Sequence, residues 1–135
     1  MYQTMAVWET EPDLAKRSDL TAAFANVWQA ANKVVYSTTL GTVSTANTRL
    51  ERHFDPDAVR QLKATRDLLV GGPKLAAQAL KAGLVDELDL FLAPIVVGRG
   101  KKALPDGVRV KLGLLDERRF VSGMVFLRYR TGAHP

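Results

Sequence analysis

Two short stretches carry residue types suited to an anionic cofactor. The first is Leu68-Leu69-Val70-Gly71-Gly72-Pro73-Lys74-Leu75, an apolar run that meets paired glycines and then a helical pattern. Glycines at the end of a strand let backbone approach a ligand closely. The free N–H groups and positive end of the helix that follows aim at the same point, which suits a pyrophosphate. The stretch has neither the G-x-G-x-x-G nor the Walker A spacing, and a tight βα turn that binds nothing has the same residues. The second stretch is Ser37-Thr38-Thr39. Hydroxyls beyond the C-terminal end of a strand can meet a cofactor phosphate or ribose, because ligands of open α/β sheets lie there. Ordinary turn capping by Ser and Thr is the competing reading.

Other candidates are weaker. Tyr2, Met5 and Trp8 recur at intervals of three and can line a pocket for a flat heterocycle or form a core stripe. Gly98-Arg99-Gly100-Lys101-Lys102 is a basic loop, read as a solvated connection before a phosphate grip. His53 and His134 stand apart, with no triad partner and no zinc-like spacing. Glu9, Glu11 and the group Asp86, Glu87, Asp89 read as turns and solvent faces. No metal site is expected, and no residue declares itself a catalytic proton donor.

These residues need elements to place them. Ser18 is a helix cap, and Leu20, Phe24, Val27, Trp28 and Ala31 form one apolar helical stripe, expected to face inward. Residues 33–36 read as a buried strand and 48–52 as a short edge strand. Asp55-Pro56 starts a helix to about residue 66, with Val59 and Leu62 inward. Residues 67–70 read as a short strand. A helix over 74–82 turns Leu75, Ala76, Ala79 and Leu80 inward and ends at Gly83, a left-handed cap. Further strands are expected within 84–97, interrupted at Pro94, then over 108–114 and 123–130. Strand–helix–strand alternation implies parallel pairing first, and the closing run of strands an antiparallel edge.

Composition narrows the classes. The 135 residues fit one domain, and 47% hydrophobic with 24% charged residues is near the soluble globular mean. The absence of Cys excludes disulfides, thiolate metal sites and a cysteine nucleophile. The net charge is +5, but the basic residues are scattered on strand and helix faces without a nucleic-acid-binding motif, so no nucleic-acid partner is expected. No apolar stretch approaches the length of a membrane span. The start lacks a signal-peptide pattern, which makes the cytoplasm the default expectation.

Six segments in order and register resemble a family. They are Tyr2-Gln3-Thr4-Met5-Ala6-Val7-Trp8-Glu9-Thr10, Lys33-Val34-Val35-Tyr36-Ser37-Thr38-Thr39-Leu40, Leu69-Val70-Gly71-Gly72 and Ala82-Gly83-Leu84-Val85-Asp86-Glu87. Pro94-Ile95-Val96-Val97-Gly98-Arg99-Gly100 and the run from Phe120 to Tyr129 complete the set. Together they resemble the dihydrofolate reductase-like superfamily. Within it, they are similar to stand-alone relatives of the reductase domain of the bifunctional riboflavin-biosynthesis deaminase-reductase. The resemblance implies one α/β domain over 1–135, in three layers. Helices would flank a mixed, mostly parallel sheet with antiparallel C-terminal strands. It implies an NADPH-dependent reductase, passing hydride to a small pterin-like or pyrimidine-like compound, and a homodimer.

By the same resemblance, Ser37, Thr38 and Thr39 lie near the adenosine 2′-phosphate. Gly71, Gly72 and the N–H groups of Lys74 and Leu75 face the pyrophosphate, and Val70 lies near the nicotinamide. Tyr2, Met5 and Trp8 are the candidates for the substrate side. The paired glycines are similar to ones joined by a cis peptide, which is rare outside proline and marks function when found. The sequence departs from the family in one respect. Members open with a strand, a loop, a helix and a second strand ending in a Gly-Arg-Arg-like turn, and Met1 falls just after the place of that turn. The expectation is a native protein that starts earlier. A truncated or non-catalytic homologue that keeps the fold without the substrate site is the alternative.

Overall fold

The computed structural model describes residues 1–132; His134 lies outside the described residues. The chain divides into two compact units, Met1–Asp55 and Pro56 onward.

The first unit holds α1 (Tyr2–Thr10), α2 (Pro12–Ala15), α3 (Asp19–Ala30), β1 (Lys33–Tyr36) and β2 (Thr48–Glu51). Ser18 caps α3 as expected. Its hydroxyl accepts from the Thr21 N–H at 3.2 Å, while the Thr21 hydroxyl accepts from the Ser18 N–H at 2.9 Å. This reciprocal box satisfies two N–H groups that the helix leaves without partners. β1 and β2 pair in parallel, Lys33 opposite Thr48 through Tyr36 opposite Glu51.

α1 and α2 were not foreseen, and the inward face of α3 is not the expected one. Leu20 is 80% exposed and Val27 69% exposed, and Phe24 is exposed too. Ala25, 2% exposed, is the buried residue of α3, as Ala6 is of α1. Small residues let two helices approach closely, so the packed face is the one with alanine rather than the one with leucine and valine. Trp8 of α1 meets the edge of Phe24 at 4.7 Å between ring centroids.

The second unit holds α4 (Pro56–Lys63), α5 (Pro73–Lys81), β3 (Glu87–Leu92), β4 (Leu112–Arg119) and β5 (Val125–Thr131). Its sheet has the order β3-β5-β4, antiparallel throughout, with an irregularity between Leu114 and Asp116. Its buried apolar residues are Ala79, Leu84 and Phe126. Gly83 does cap α5. At φ +65°, it lets its own N–H reach the Leu80 carbonyl (3.1 Å) and the Leu84 N–H reach the Ala79 carbonyl (2.9 Å). This double bond pattern satisfies the last carbonyls of the helix, and buried Leu84 and Ala79 flank it.

Several expectations need correction. The sheet is not a single, mostly parallel one: the parallel pair β1–β2 and the antiparallel sheet β3-β5-β4 are separate. Residues 67–70 form no strand, and Leu69 is fully exposed. An extended apolar run becomes a strand only when a neighbour pairs with it, and among the described residues none does. α4 stops at Lys63, three residues short, with Val59 and Leu62 half-buried. β3 ends at Leu92, before Pro94, whose missing N–H cannot join a ladder. β4 begins at Leu112 rather than 108, because Leu112 lies opposite Thr131, the last residue of β5, and the pairing runs from there to Arg119 opposite Val125.

Candidate functional site

Beyond the C-terminal end of β1, the 37–41 loop is held from two sides. Ser37 continues the parallel ladder, its N–H donating to the Glu51 carbonyl at 3.0 Å. Its hydroxyl then accepts from the N–H groups of Thr39 (3.3 Å) and Leu40 (3.0 Å). Ser37 therefore performs the turn-capping role, while Thr38 and Thr39 stand exposed. From the other side Arg52, the first residue after β2, donates to three carbonyls. Nη1 reaches those of Ser37 (3.1 Å) and Leu40 (2.5 Å), and Nη2 that of Gly41 (3.2 Å). Tyr36, the last residue of β1, stacks edge-on against Phe54 at 5.6 Å. Burial first, then Glu51, pushes its phenol up against the opposing charge of Arg49, with Asp55 adding to the rise, so it stays protonated at neutral pH.

In the second unit, Gly71 and Gly72 lead into α5. Gly72 is the N-cap at φ 91° and ψ 129°, a conformation that side chains rarely adopt, and Pro73 occupies the first helical position. No side chain caps this end. The Gly72 carbonyl accepts from the Ala76 N–H at 3.0 Å, which leaves the N–H groups of Lys74 and Leu75 pointing out of the first turn. A Cβ on Gly71 would meet nothing within 4 Å. Val70 and Lys74 are exposed and Leu75 half-buried. Among the described residues no peptide bond is cis, so the Gly71–Gly72 bond is trans, contrary to the expectation.

Tyr2, Met5 and Trp8 lie along α1 and are half-buried. At 100° per residue, Tyr2 and Trp8 point about 120° apart, and the structure gives them different neighbours. Trp8 packs on Phe24. The Tyr2 hydroxyl accepts from the backbone N–H groups of Ser44 (2.8 Å) and Thr45 (3.2 Å) and lies 3.4 and 3.2 Å from their side-chain hydroxyls. Burial pushes the pKa of this phenol up. The hydrogen bonds from the Ser44 and Thr45 side chains and backbone outweigh it and bring the pKa down to about 8.

The sequence reading missed two groups. Arg52 gave no signal beyond its charge. Glu9, read as a solvent-facing carboxylate, is mostly buried. It lies 3.4 Å from Lys33 Nζ, with the two side chains 15% and 9% exposed, and it accepts the Ala46 N–H at 2.8 Å. Lys33 also donates to the carbonyls of Trp28 (2.8 Å) and Ala31 (3.0 Å). Asp86, read as solvent-facing, is exposed as expected and lies 2.6 Å from Lys63 Nζ. His53 is exposed, and the 98–102 loop is exposed throughout. Among the described residues, no group of three or more His, Asp or Glu is arranged to hold a metal ion. Nor is any helix among them long and apolar enough to cross a membrane.

Comparison with known proteins agrees with this architecture. The family model of the RibD C-terminal domain matches residues 5–126. The uncharacterized protein YyaP of Bacillus subtilis (strain 168) is 39% identical over 62 residues, 45% of this chain and 33% of that protein. The match thus spans a third of its length. The crystal structure of a protein assigned to riboflavin biosynthesis in Shewanella sp. PV-4 is similar in fold. Its TM-score is 0.68 at 18% identity, over 91% of this chain and 79% of that one. A pyrimidine reductase-like protein from Corynebacterium diphtheriae gives a TM-score of 0.50 at 25% identity, over 66% of this chain and 40% of that one.

Proposed function

Because the chain belongs to the RibD C-terminal domain family, we propose that it serves as an NADPH-dependent reductase of a small pterin-like or pyrimidine-like compound. The observation that carries this reading is the glycine-capped start of α5. Its first turn presents the N–H groups of Lys74 and Leu75 with no side chain competing for them, and the positive helix end favours an anion. Open space beside Gly71 leaves room for one to approach. These N–H groups suit a dinucleotide's pyrophosphate; the family resemblance assigns Val70 to the nicotinamide and Ser37, Thr38 and Thr39 to the adenosine 2′-phosphate. Tyr2, Met5 and Trp8 are assigned to the substrate side. When bound, NADPH supplies the hydride. The protein's part is position and field: donors held in place for the phosphates and a surface that orients the heterocycle. The neighbour named pyrimidine reductase-like is in keeping with that substrate class.

The proposal includes the three-layer dihydrofolate reductase-like arrangement, a homodimer in the cytoplasm, and no nucleic-acid partner. It is tested by NADPH fluorescence titration of the chain and of Gly72→Val, which places a β-branched side chain at a φ of 91°. Saturable binding lost in the variant supports it. No binding at high micromolar NADPH overturns it in favour of a homologue that keeps the fold without the chemistry.

A further inference from the structure

The parallel register places Tyr36 opposite Glu51, so Ser37 and Arg52 leave the pair β1–β2 side by side at its C-terminal end. The guanidinium of Arg52 spends three donors on the carbonyls of Ser37, Leu40 and Gly41. Those carbonyls belong to the loop that the Ser37 hydroxyl closes from within through the Thr39 and Leu40 N–H groups. The loop's shape therefore rests on one cation and one hydroxyl. Thr38 and Thr39, between the clamped carbonyls, stand exposed, and Arg52 is itself exposed.

We propose that Arg52 is the positioning residue of this loop. By holding the carbonyls of Ser37, Leu40 and Gly41, it fixes the Thr38 and Thr39 hydroxyls for the phosphate on the cofactor's ribose. It thereby sets the preference for the phosphorylated over the unphosphorylated nicotinamide dinucleotide. The inference rests on the reductase reading above and deepens it. Only a guanidinium suits the task. Its donors lie in one rigid plane and can serve three acceptors at once, whereas a lysine ammonium is a point donor on a flexible stem. The charge of the clamp is also held on the backbone of the loop that carries these hydroxyls. A loop drawn in by its carbonyls thus offers an anion a positive rather than a negative rim.

The test measures the affinity of the wild-type chain, Arg52→Gln and Arg52→Lys for NADPH and for NADH, with circular dichroism as a check of folding. The expected result is a loss of about tenfold or more in NADPH affinity for Arg52→Gln, the loss that goes with removing charge-assisted hydrogen bonds. NADH affinity stays unchanged and Arg52→Lys is intermediate. If Arg52→Gln does not fold, the ratio of the two affinities is read on Arg52→Lys, where a shift toward NADH is expected. Equal affinities across the three proteins overturn the inference and leave the reductase reading standing. So does an equal loss for both dinucleotides, the signature of a merely structural role. Binding of neither dinucleotide by the wild type overturns both.

Discussion

Arg128 on β5 and Asp89 on β3 face each other across the sheet in a two-pronged pair, Nε to Oδ1 at 2.8 Å and Nη2 to Oδ2 at 2.9 Å. The hydrogen bonds from Arg128 hold the Asp89 carboxyl below its ordinary range, against the opposing effect of burial. A carboxylate with a depressed folded-state pKa adds stability above its unfolded value. That contribution disappears as the pH falls through the folded value. Both side chains are about two-fifths exposed, so screening keeps the effect small. Asp89→Asn is expected to cost about 0.2–1 kcal/mol at neutral pH. Urea denaturation should show the gap between the variant and the wild type closing in acid.

The Glu9–Lys33 pair is a different case because it is mostly buried. Removing one partner strands the other charge without compensation. Lys33→Met is therefore expected to cost about 3 kcal/mol or more, with the carbonyls of Trp28 and Ala31 losing their donor as well. The double variant Glu9→Gln with Lys33→Met should be less destabilised than the sum of the two single ones. Denaturation midpoints of all four proteins give the coupling energy.

Tyr2 ties the start of α1 to the backbone of Ser44 and Thr45. Its pKa of about 8, against an ordinary 10.0, sets the sign of a pH effect. The phenolate is favoured in the folded state, so stability relative to Tyr2→Phe should rise as the pH climbs from about 8 toward the unfolded value. It levels off beyond that. Tyrosinate absorbance during a pH titration should show one phenol ionising early, and that step should be missing in Tyr2→Phe. A step unchanged by the substitution would refute the assignment.

Gly83→Ala isolates a backbone effect. The added Cβ meets nothing within 4 Å, so no clash contributes, but φ is +65°. The variant is expected to lose about 1 kcal/mol from the left-handed conformation alone. The far-ultraviolet spectrum should be unchanged and the thermal midpoint lower.

What the sequence reveals follows from how local each cause is. The Ser18 cap and the Gly83 cap depend on residues within a turn of one another, and the structure places them as read. The inward face of α3 differs from the expected one because alanine carries little hydrophobic signal, yet Ala25 is the buried residue of α3. The run 67–70 has the composition of a strand but lacks a partner, which no local pattern reveals. The start of β4 was misplaced because the alternation from Val108 to Leu114 is as regular as the segment that pairs. The choice is made by β5, where Arg128 lies opposite Asp116. At the candidate site, the glycines and the Ser-Thr-Thr run were visible by type. Arg52 was not, since its role depends on a strand register that sets Tyr36 opposite Glu51.

The order β3-β5-β4 also fixes a sequence of events during synthesis. The strand that joins the other two is the latest of them in the chain, and Glu87 must wait for Arg130 to emerge before it has a neighbour. On the ribosome β3 and β4 remain two exposed edges until β5 is translated and free of the exit tunnel. The pair β1–β2, closed over a much shorter loop, can form well before. A nascent chain stalled just short of Val125 would thus carry a formed first pair and an unassembled sheet. It is at that moment that the exposed apolar residues of β3 and β4 are most open to association with other chains.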